Sequence, residues 1–224
     1  GWETRLKAAG TDLRVANTKE YQVRLSPDLE IGVDPDQIRV TGKVRMPEAS
    51  FEPRSVPAGT VTASPDVVMQ GDEEKAPIPL SLDVQLILGN QVTLDAFGVR
   101  GNLRGDLRVH QTPQQAEPHG DGQLQIVDGA YRISTGVGLL AAFGKPLTIT
   151  QGRLIFADTP VSNPGLLLQA ERDGGDLTAG VQILGTLREP KLSFFSNTDP
   201  GLTQAEITTY LITGTPPKGN AEED

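Results

Sequence analysis

The residues whose types and spacing come closest to a known chemical site are Gly136, Gly138 and Ala141. They match the G-x-G-x-x-A pattern of a dinucleotide-binding turn, and Asp158 follows about twenty residues later, where a ribose-binding acid would stand. That chemistry requires a strand, a full helix and further βαβ units. Here the small apolar run is short and no βαβ alternation follows it. We therefore interpret residues 136–143 as a short helix that packs on a sheet.

The two histidines, His110 and His119, are the next candidates for chemistry. They flank a polar Pro/Gln stretch and match no zinc spacing, so we interpret them as surface-loop residues. Asp34 and Asp36 lack the glycine and the distal glutamate of a calcium loop, and we interpret them as part of a turn. The chain also has no cysteine and no Gly-x-Ser-x-Gly motif. We predict a protein that is not an enzyme and that needs no metal or cofactor.

The charge balance bears on possible partners. The 224 residues include 29 acidic and 20 basic side chains, for a net charge of −9. The basic residues are scattered, whereas binding to a phosphate backbone needs them clustered, so we predict no nucleic-acid partner. No run reaches the roughly 18 apolar residues of a membrane span. No signal peptide is evident at Gly1, and we expect the chain to be a fragment of a longer protein.

Two-residue alternation of aliphatic and polar side chains dominates the sequence and predicts strands with one apolar face. We expect on the order of a dozen strands. Turns are predicted at Gly89–Asn90, Asp128–Gly129, Gly174–Gly175 and Glu189–Pro190. The low content of aromatic residues, 4%, favours a thin or open architecture over a thick core. The predicted fold is all-β, an elongated and rolled antiparallel or mixed sheet with a hydrophobic interior and one or two short helices.

The in-phase aliphatic residues are predicted to line a groove that contacts lipid or a client polypeptide. They are Val84, Leu86, Leu88, Leu103, Leu107, Val109, Leu124, Ile126, Leu147, Ile149, Leu154, Phe156, Leu166, Leu168, Val181, Ile183, Leu187, Leu192 and Phe194. Periodicity alone leaves open whether such faces meet each other in an ordinary sandwich or receive a ligand.

A second helix is predicted near the C-terminus. Thr203 and Glu206 form a capping box, and Gly214 follows as a stop. We expect Ile207, Tyr210 and Leu211 to face inward, so that the helix caps one end of the sheet. Residues 1–217 are predicted to form a single domain with loops at about 70–77 and 111–120, and residues 218–224 a disordered tail.

The C-terminal half resembles the C-terminal domain of the TamB family, in the AsmA-like superfamily. The resemblance is carried by YRI at 131–133, FGKPL at 143–147, ITQGRLIF at 149–156, NPGL at 163–166, GTLREPKLSF at 185–194, Ser196, PGL at 200–202, and the stretch from Ile207 to LITG at 211–214. It extends, with less specific motifs, over residues 20–119. The resemblance implies further strands after the helix, and an N-terminal anchor and a long β region before this stretch, and we expect residues 1–224 to depart from the family pattern in carrying none of these.

The resemblance implies a periplasmic β-sheet rolled along its length in a Gram-negative bacterium, within a protein anchored in the inner membrane. It implies a TamA-like Omp85 outer-membrane barrel as partner, and a role in outer-membrane protein assembly or phospholipid movement. Phospholipid or an unfolded outer-membrane protein would then be the client.

Three functions are compatible with this reading. In the first, acyl chains slide along the aliphatic face, gaining on the order of 0.8 kcal/mol per buried CH₂, while the headgroups stay in water. In the second, free sheet edges template client strands by β-augmentation. The third is a glycan-binding sandwich, which is disfavoured because such sites use aromatic side chains and the only tryptophan is Trp2.

Overall fold

The computed structural model describes residues 3–53, 79–133 and 145–216, which form one mixed sheet of eleven strands and one helix. The strands are β1 (Thr4–Ala9), β2 (Leu13–Asn17), β3 (Tyr21–Val33), β4 (Ile38–Phe51), β5 (Leu80–Ala96), β6 (Val99–Gln111), β7 (His119–Tyr131), β8 (Leu147–Pro160), β9 (Gly165–Asp173), β10 (Thr178–Thr186) and β11 (Pro190–Ser196). The helix α1 spans Gln204–Thr213. The prediction of an all-β fold with about a dozen strands is confirmed.

The strands lie side by side almost in chain order. The sheet runs β1-β3-β4-β5-β6-β7-β8-β9-β10-β11, with β2 paired to β3 beside β1. Every neighbouring pair is antiparallel except β4 and β5, which are parallel. The path ends at β1 and at β11, so the sheet is open. The described strands therefore form one open sheet and not the two-sheet sandwich that periodicity alone left possible.

Bulges keep the apolar residues on one face where the numbering changes phase. In β8, Leu147 and Ile149 are odd-numbered but Leu154 and Phe156 are even-numbered. The register against β9 shifts between Ile149 and Gln151, and the extra residue carries both pairs to the same face.

Two predicted turns are wrong for the same reason. Asp128–Gly129 lies inside β7, where Asp128 has φ 51° and the register against β6 shifts by one residue. Gly89–Asn90 lies inside β5, close to register shifts against both β4 and β6. Residue pairs of these types suit a bulge as well as a tight turn, because both need unusual backbone angles. The turn predicted at Gly174–Gly175 falls between β9 and β10, and the one predicted at Glu189–Pro190 falls where the β10–β11 connection meets Pro190, the first residue of β11.

Glycines on the apolar face allow large neighbours to approach one another across the sheet. Gly122 pairs with Leu107 on one side and with Phe156 on the other. Its φ of +131° disfavours any residue with a Cβ atom. A Cβ at Gly120 would lie 3.0 Å from Phe156 Cδ1 and 3.2 Å from Leu107 Cδ1. Because neither glycine has a Cβ atom, the side chains of Leu107 and Phe156 can occupy the space above them.

Helix α1 has the predicted capping box. Thr203 Oγ1 accepts a hydrogen bond from the Glu206 backbone N–H, and Glu206 accepts one from the Thr203 backbone N–H at 2.8 Å. Gly214 closes the helix in the left-handed conformation, with its N–H donating to the Tyr210 carbonyl. The helix packs against β10 and β11. No helix in the described part of the chain has the length and apolar character to cross a bilayer.

Several predictions fall wholly or partly outside the described residues. These are the short helix at 136–143, the loop at about 70–77 and the tail at 218–224. The polar loop predicted at 111–120 is present but shorter, since β6 ends at Gln111 and β7 begins at His119. The single domain over residues 1–217 stays a prediction.

Candidate functional site

The candidate site is the apolar face of the sheet, built from rows of side chains that run across the strands. In one row Leu86 of β5 pairs with Leu107 of β6, and the row continues through Gly122 to Phe156 of β8. In another, Ile149 pairs with Ala170 of β9 and then Val181 of β10. Such cross-strand neighbours lie about 4.5–5.5 Å apart and form one aliphatic surface.

Burial varies along the nineteen side chains predicted to line the groove. Ten lie in the range of 0–7% exposure, namely Val84, Leu103, Leu107, Leu124, Ile126, Leu147, Phe156, Leu168, Val181 and Ile183. Eight are partly buried, namely Leu86, Leu88, Val109, Ile149, Leu154, Leu166, Leu187 and Phe194. Leu192, on the edge strand β11, is 50% exposed. Most of the face is therefore in contact with other atoms of the protein.

The apolar face divides into two clusters. The main cluster extends from Met46 on β4 to the buried side chains of α1, with Leu103, Ile126 and Val181 among its members. The second cluster comprises Leu107, Leu124 and Phe156. Sixteen of the nineteen predicted groove residues belong to one cluster or the other, either as buried core residues or as partly buried residues packed against the core.

Three side chains form a seam between the clusters. Leu86, Leu88 and Leu154 each pack against both clusters and each stays partly exposed. A ligand can therefore contact both clusters at these three side chains without unpacking a fully buried residue.

Three predicted residues lie outside the two clusters. Val84 is buried but belongs to neither. Leu187 lies in the β10–β11 connection rather than on a strand, because β10 ends at Thr186, and its N–H donates to the Pro164 carbonyl at 3.0 Å. Leu192 is on the apolar face opposite Ile183, but its edge position leaves it open to solvent.

Helix α1 covers the C-terminal end of the apolar face. Ile207, Tyr210 and Leu211 are buried in the main cluster. The Tyr210 hydroxyl donates a 2.7 Å hydrogen bond to the Leu177 carbonyl, which gives this polar group a partner inside the cluster. Burial raises the pKa of the Tyr210 phenol.

Sequence reasoning missed several small residues that complete the face. Ala49, Val92 and Ala170 are at most 3% exposed and belong to the main cluster. Val92 continues the even-numbered phase of Leu86 and Leu88, and it was lost because Gly89–Asn90 was interpreted as the end of a strand. Ala49 and Ala170 are too small to stand out in a hydrophobic pattern.

The opposite face is polar and holds the ion pairs. Arg108 Nε and Nη2 donate to the two carboxylate oxygens of Asp83, each at 2.8 Å. This pairing lowers the pKa of Asp83 below its ordinary value. Asp34 behaves as the predicted turn residue, since its carboxylate accepts the backbone N–H groups of Asp36 and Gln37.

The interpretation of the histidines as loop residues is wrong. His110, next to the last residue of β6, pairs with His119 at the start of β7, and both rings contact Asp158 of β8. Their side chains are only 22% and 23% exposed. Antiparallel pairing across the 112–118 loop brings them together, which a nine-residue spacing does not reveal. Hydrogen bonds from His119 and then His110 lower the pKa of Asp158.

These features define a class of protein: an open β-sheet with one continuous apolar face and a helix over its last strands, of the kind that rolls into a hydrophobic groove. The family is equally clear. The model of the TamB C-terminal domain matches residues 1–223, and the chain belongs to that family.

A similar curated protein supports the same family assignment. The chain is 27% identical over 233 residues to the translocation and assembly module subunit TamB of Haemophilus influenzae. The match covers 95% of this chain but only 17% of that relative. The chain therefore corresponds to a small part of the relative's length.

Proposed function

We propose that this domain is a non-catalytic part of a translocation and assembly module, in which its apolar face carries phospholipid acyl chains between membranes. The observation that supports this most directly is the seam, where Leu86, Leu88 and Leu154 join two apolar clusters and remain partly exposed. An aliphatic chain that lies on the sheet at the seam would contact these three side chains.

The energetics favour an acyl chain as the occupant. Each buried CH₂ gains on the order of 0.8 kcal/mol, so a stretch of about ten carbons gains several kcal/mol. Leucine and valine side chains impose no directional hydrogen bonds, so such a chain can slide without breaking specific contacts. The headgroup stays in water, because burying it unpaired would cost more than the chain gains.

The setting of the domain is part of the same proposal. As a member of this family it would act in the periplasm of a Gram-negative bacterium, within a longer protein anchored in the inner membrane. Its partner would be a TamA-like Omp85 barrel of the outer membrane. No nucleotide, metal or other cofactor is assigned to the domain.

A second candidate function rests on the sheet edges. β1 and β2 run in the same direction along β3, so together they form one long edge. Leu6 and Leu13 on this edge are about half exposed, at 55% and 47%. At the other edge, the Gln204 side chain donates to the Phe194 carbonyl and α1 packs alongside. The β1–β2 edge is thus the better candidate for pairing with an unfolded client strand.

Native mass spectrometry of the purified domain tests the lipid proposal. Co-purified phospholipid released at high collision energy is expected, because the seam would be occupied in cells. Crosslinkers placed at positions 6 and 88 separate the two candidates. Lipid adducts at 88 support the groove. A domain that carries no lipid, with client-protein adducts at position 6 alone, supports strand templating and rejects acyl-chain binding.

A further inference from the structure

The outer face of β6, β7 and β8 carries a side-chain cluster that the proposed function does not use. It contains the only two histidines of the chain. Asp158 Oδ1 lies 3.1 Å from His110 Nε2 and 3.0 Å from His119 Nδ1, so one carboxylate oxygen serves both rings. The backbone carbonyl oxygen of Asp158 also lies 2.9 Å from His119 Nδ1. Three adjacent strands are therefore joined at one point.

His110 is placed so that each ring nitrogen faces a carboxylate. Nε2 faces Asp158, while Nδ1 is shielded from solvent, has no hydrogen-bond partner, and lies 3.4 Å from Asp121 Oδ2. A neutral imidazole has a single N–H and must turn a lone pair towards one of these acids. An imidazolium donates from both nitrogens. The arrangement is therefore complete only when His110 is protonated.

Carboxylates outnumber the fixed cations around the two rings. On β5 and β6, Asp83 and Arg108 neutralise each other through two hydrogen bonds. On β7 and β8, Asp121 and Asp158 face the histidines. Two carboxylates thus meet two imidazoles, and the local charge is −2 when both rings are neutral and zero when both are protonated. Among side chains, histidine is the one that ordinarily changes charge between pH 5 and 8.

The cluster lies directly behind the second apolar cluster. Asp121 follows Gly120 and precedes Gly122, the two glycines over which Leu107 and Phe156 pack on the other face. Asp158 is the bulged residue of β8, with φ 54°, and its N–H donates to Asp121 Oδ1 at 2.9 Å. A change in the spacing of β7 and β8 at this point moves the backbone that supports Phe156.

We propose that His110, His119, Asp121 and Asp158 form a proton-operated clamp on the outer face. When protonated, the rings donate to the carboxylates and hold β6, β7 and β8 together, and when neutral they loosen the clamp. The clamp thereby sets how readily the second apolar cluster opens. Its effect on ligand uptake rests on the proposed function, whereas the clamp itself does not.

Amide hydrogen exchange followed by NMR at pH 5.5 and pH 7.5 tests the clamp, with rates corrected for intrinsic exchange. The opening equilibrium of the amides of residues 120–122 and 156–158 is expected to be about fivefold larger at pH 7.5, the scale of partly exposed charge pairs. The double histidine variant described below tests whether the difference arises from His110 and His119. The same value at both pH values overturns the proposal.

Variants supply the controls. His110→Gln with His119→Gln is expected to remove the pH difference, and Asp158→Asn to reduce it if the double variant does not fold. Asp106→Asn is the matched control, since it removes an exposed carboxylate from the same face of β6 and is expected to keep the full difference. A difference that persists in the double variant contradicts the clamp.

A second measurement separates the clamp from its consequence. Uptake of a pyrene-tailed phosphatidylethanolamine from vesicles is expected to be several-fold slower at pH 5.5 than at pH 7.5, and equal at both in the double histidine variant. Uptake without pH dependence, beside pH-dependent exchange, rejects the control of the groove. No uptake at either pH rejects the proposed function, while the exchange result still decides the clamp.

Discussion

Leu154 and Ile155 are adjacent in β8 and face opposite sides of the sheet. Leu154 packs against both apolar clusters, whereas Ile155 is 39% exposed on the polar side. Both are aliphatic and similar in size, so sequence position and bulk are nearly matched. Substitutions at these two positions therefore separate an effect on the apolar face from a general effect on strand β8.

The first prediction concerns lipid retention. Leu154→Asp places a carboxylate in the seam, and its desolvation cost should weaken phospholipid binding about tenfold or more. Ile155→Asp should leave binding unchanged, because its side chain already meets water. Quantifying lipid in folded, purified protein of both variants tests this. Equal lipid content in the two would contradict the assignment of the seam.

The second prediction concerns stability. Leu107 is 4% exposed in the second cluster, so Leu107→Ala should lower the free energy of unfolding by about 2–4 kcal/mol. Leu192→Ala, at the open edge, should change it by less than about 0.5 kcal/mol. Urea denaturation followed by circular dichroism measures both. Equal destabilisation would mean that the second cluster is not a packed core.

The burial of Leu107 and Ile126 also changes how the groove can be probed. An aspartate at either position would probe the groove only if the fold survived the substitution. Both side chains are buried in the clusters, so a charge there should unfold the domain instead. The partly exposed seam residues are the informative positions.

The third prediction concerns the need for glycine at position 122. Gly122→Ala introduces a Cβ at φ +131°, 2.9 Å from the Asp106 carbonyl oxygen, and should destabilise the fold by about 1–3 kcal/mol. Gly32→Ala is the control, because a Cβ there meets nothing within 4 Å and the backbone angle is ordinary for a strand. Thermal unfolding of the two variants makes the comparison. A tolerated Gly122→Ala would show that glycine is not required there.

The fourth prediction concerns the cap of α1. Thr203→Ala removes the hydroxyl that accepts the Glu206 N–H and should cost about 1 kcal/mol. Thr208→Ala, in the middle of the same helix, should not destabilise, since alanine favours helix. Chemical denaturation of both variants gives the two values, and a larger loss at Thr208 would contradict the capping role.

The Glu206 part of the cap should depend on pH. Hydrogen bonds from the backbone and then the side chain of Thr203 lower the pKa of Glu206. Its contribution is present above the ordinary glutamate value of 4.5 and is lost as the pH falls through the lower folded value. Glu206→Gln should therefore differ from wild type in stability at neutral pH and approach it in strong acid.

Much of the fold follows from the sequence because alternation is a strong signal. The strands carrying Leu103, Leu107, Leu124 and Ile126 were predicted in the right phase, and the cap at Thr203 was read from a single motif. What alternation does not give is the partner of each strand. The parallel pairing of β4 and β5 is set by tertiary packing and leaves no local pattern in the sequence. The Asp128–Gly129 pair suits a turn as well as a bulge, and only the pairing with β6 decides between them.

The candidate site divides in the same way. The large aliphatic residues of the apolar face could be predicted one by one, but the seam could not. Partial exposure of Leu86 and Leu154 depends on how two clusters meet in space. The histidine cluster was missed because His110 and Asp158 are 48 residues apart and are brought together only by strand order.

Site-specific photocrosslinking at Leu154 and Ile155 tests the central claim most directly. A photoreactive amino acid at each position, activated in cells, is expected to give phospholipid adducts at 154 and none at 155. Lipid adducts at both positions in equal yield, or at neither, would contradict an apolar face that receives lipid from outside the protein.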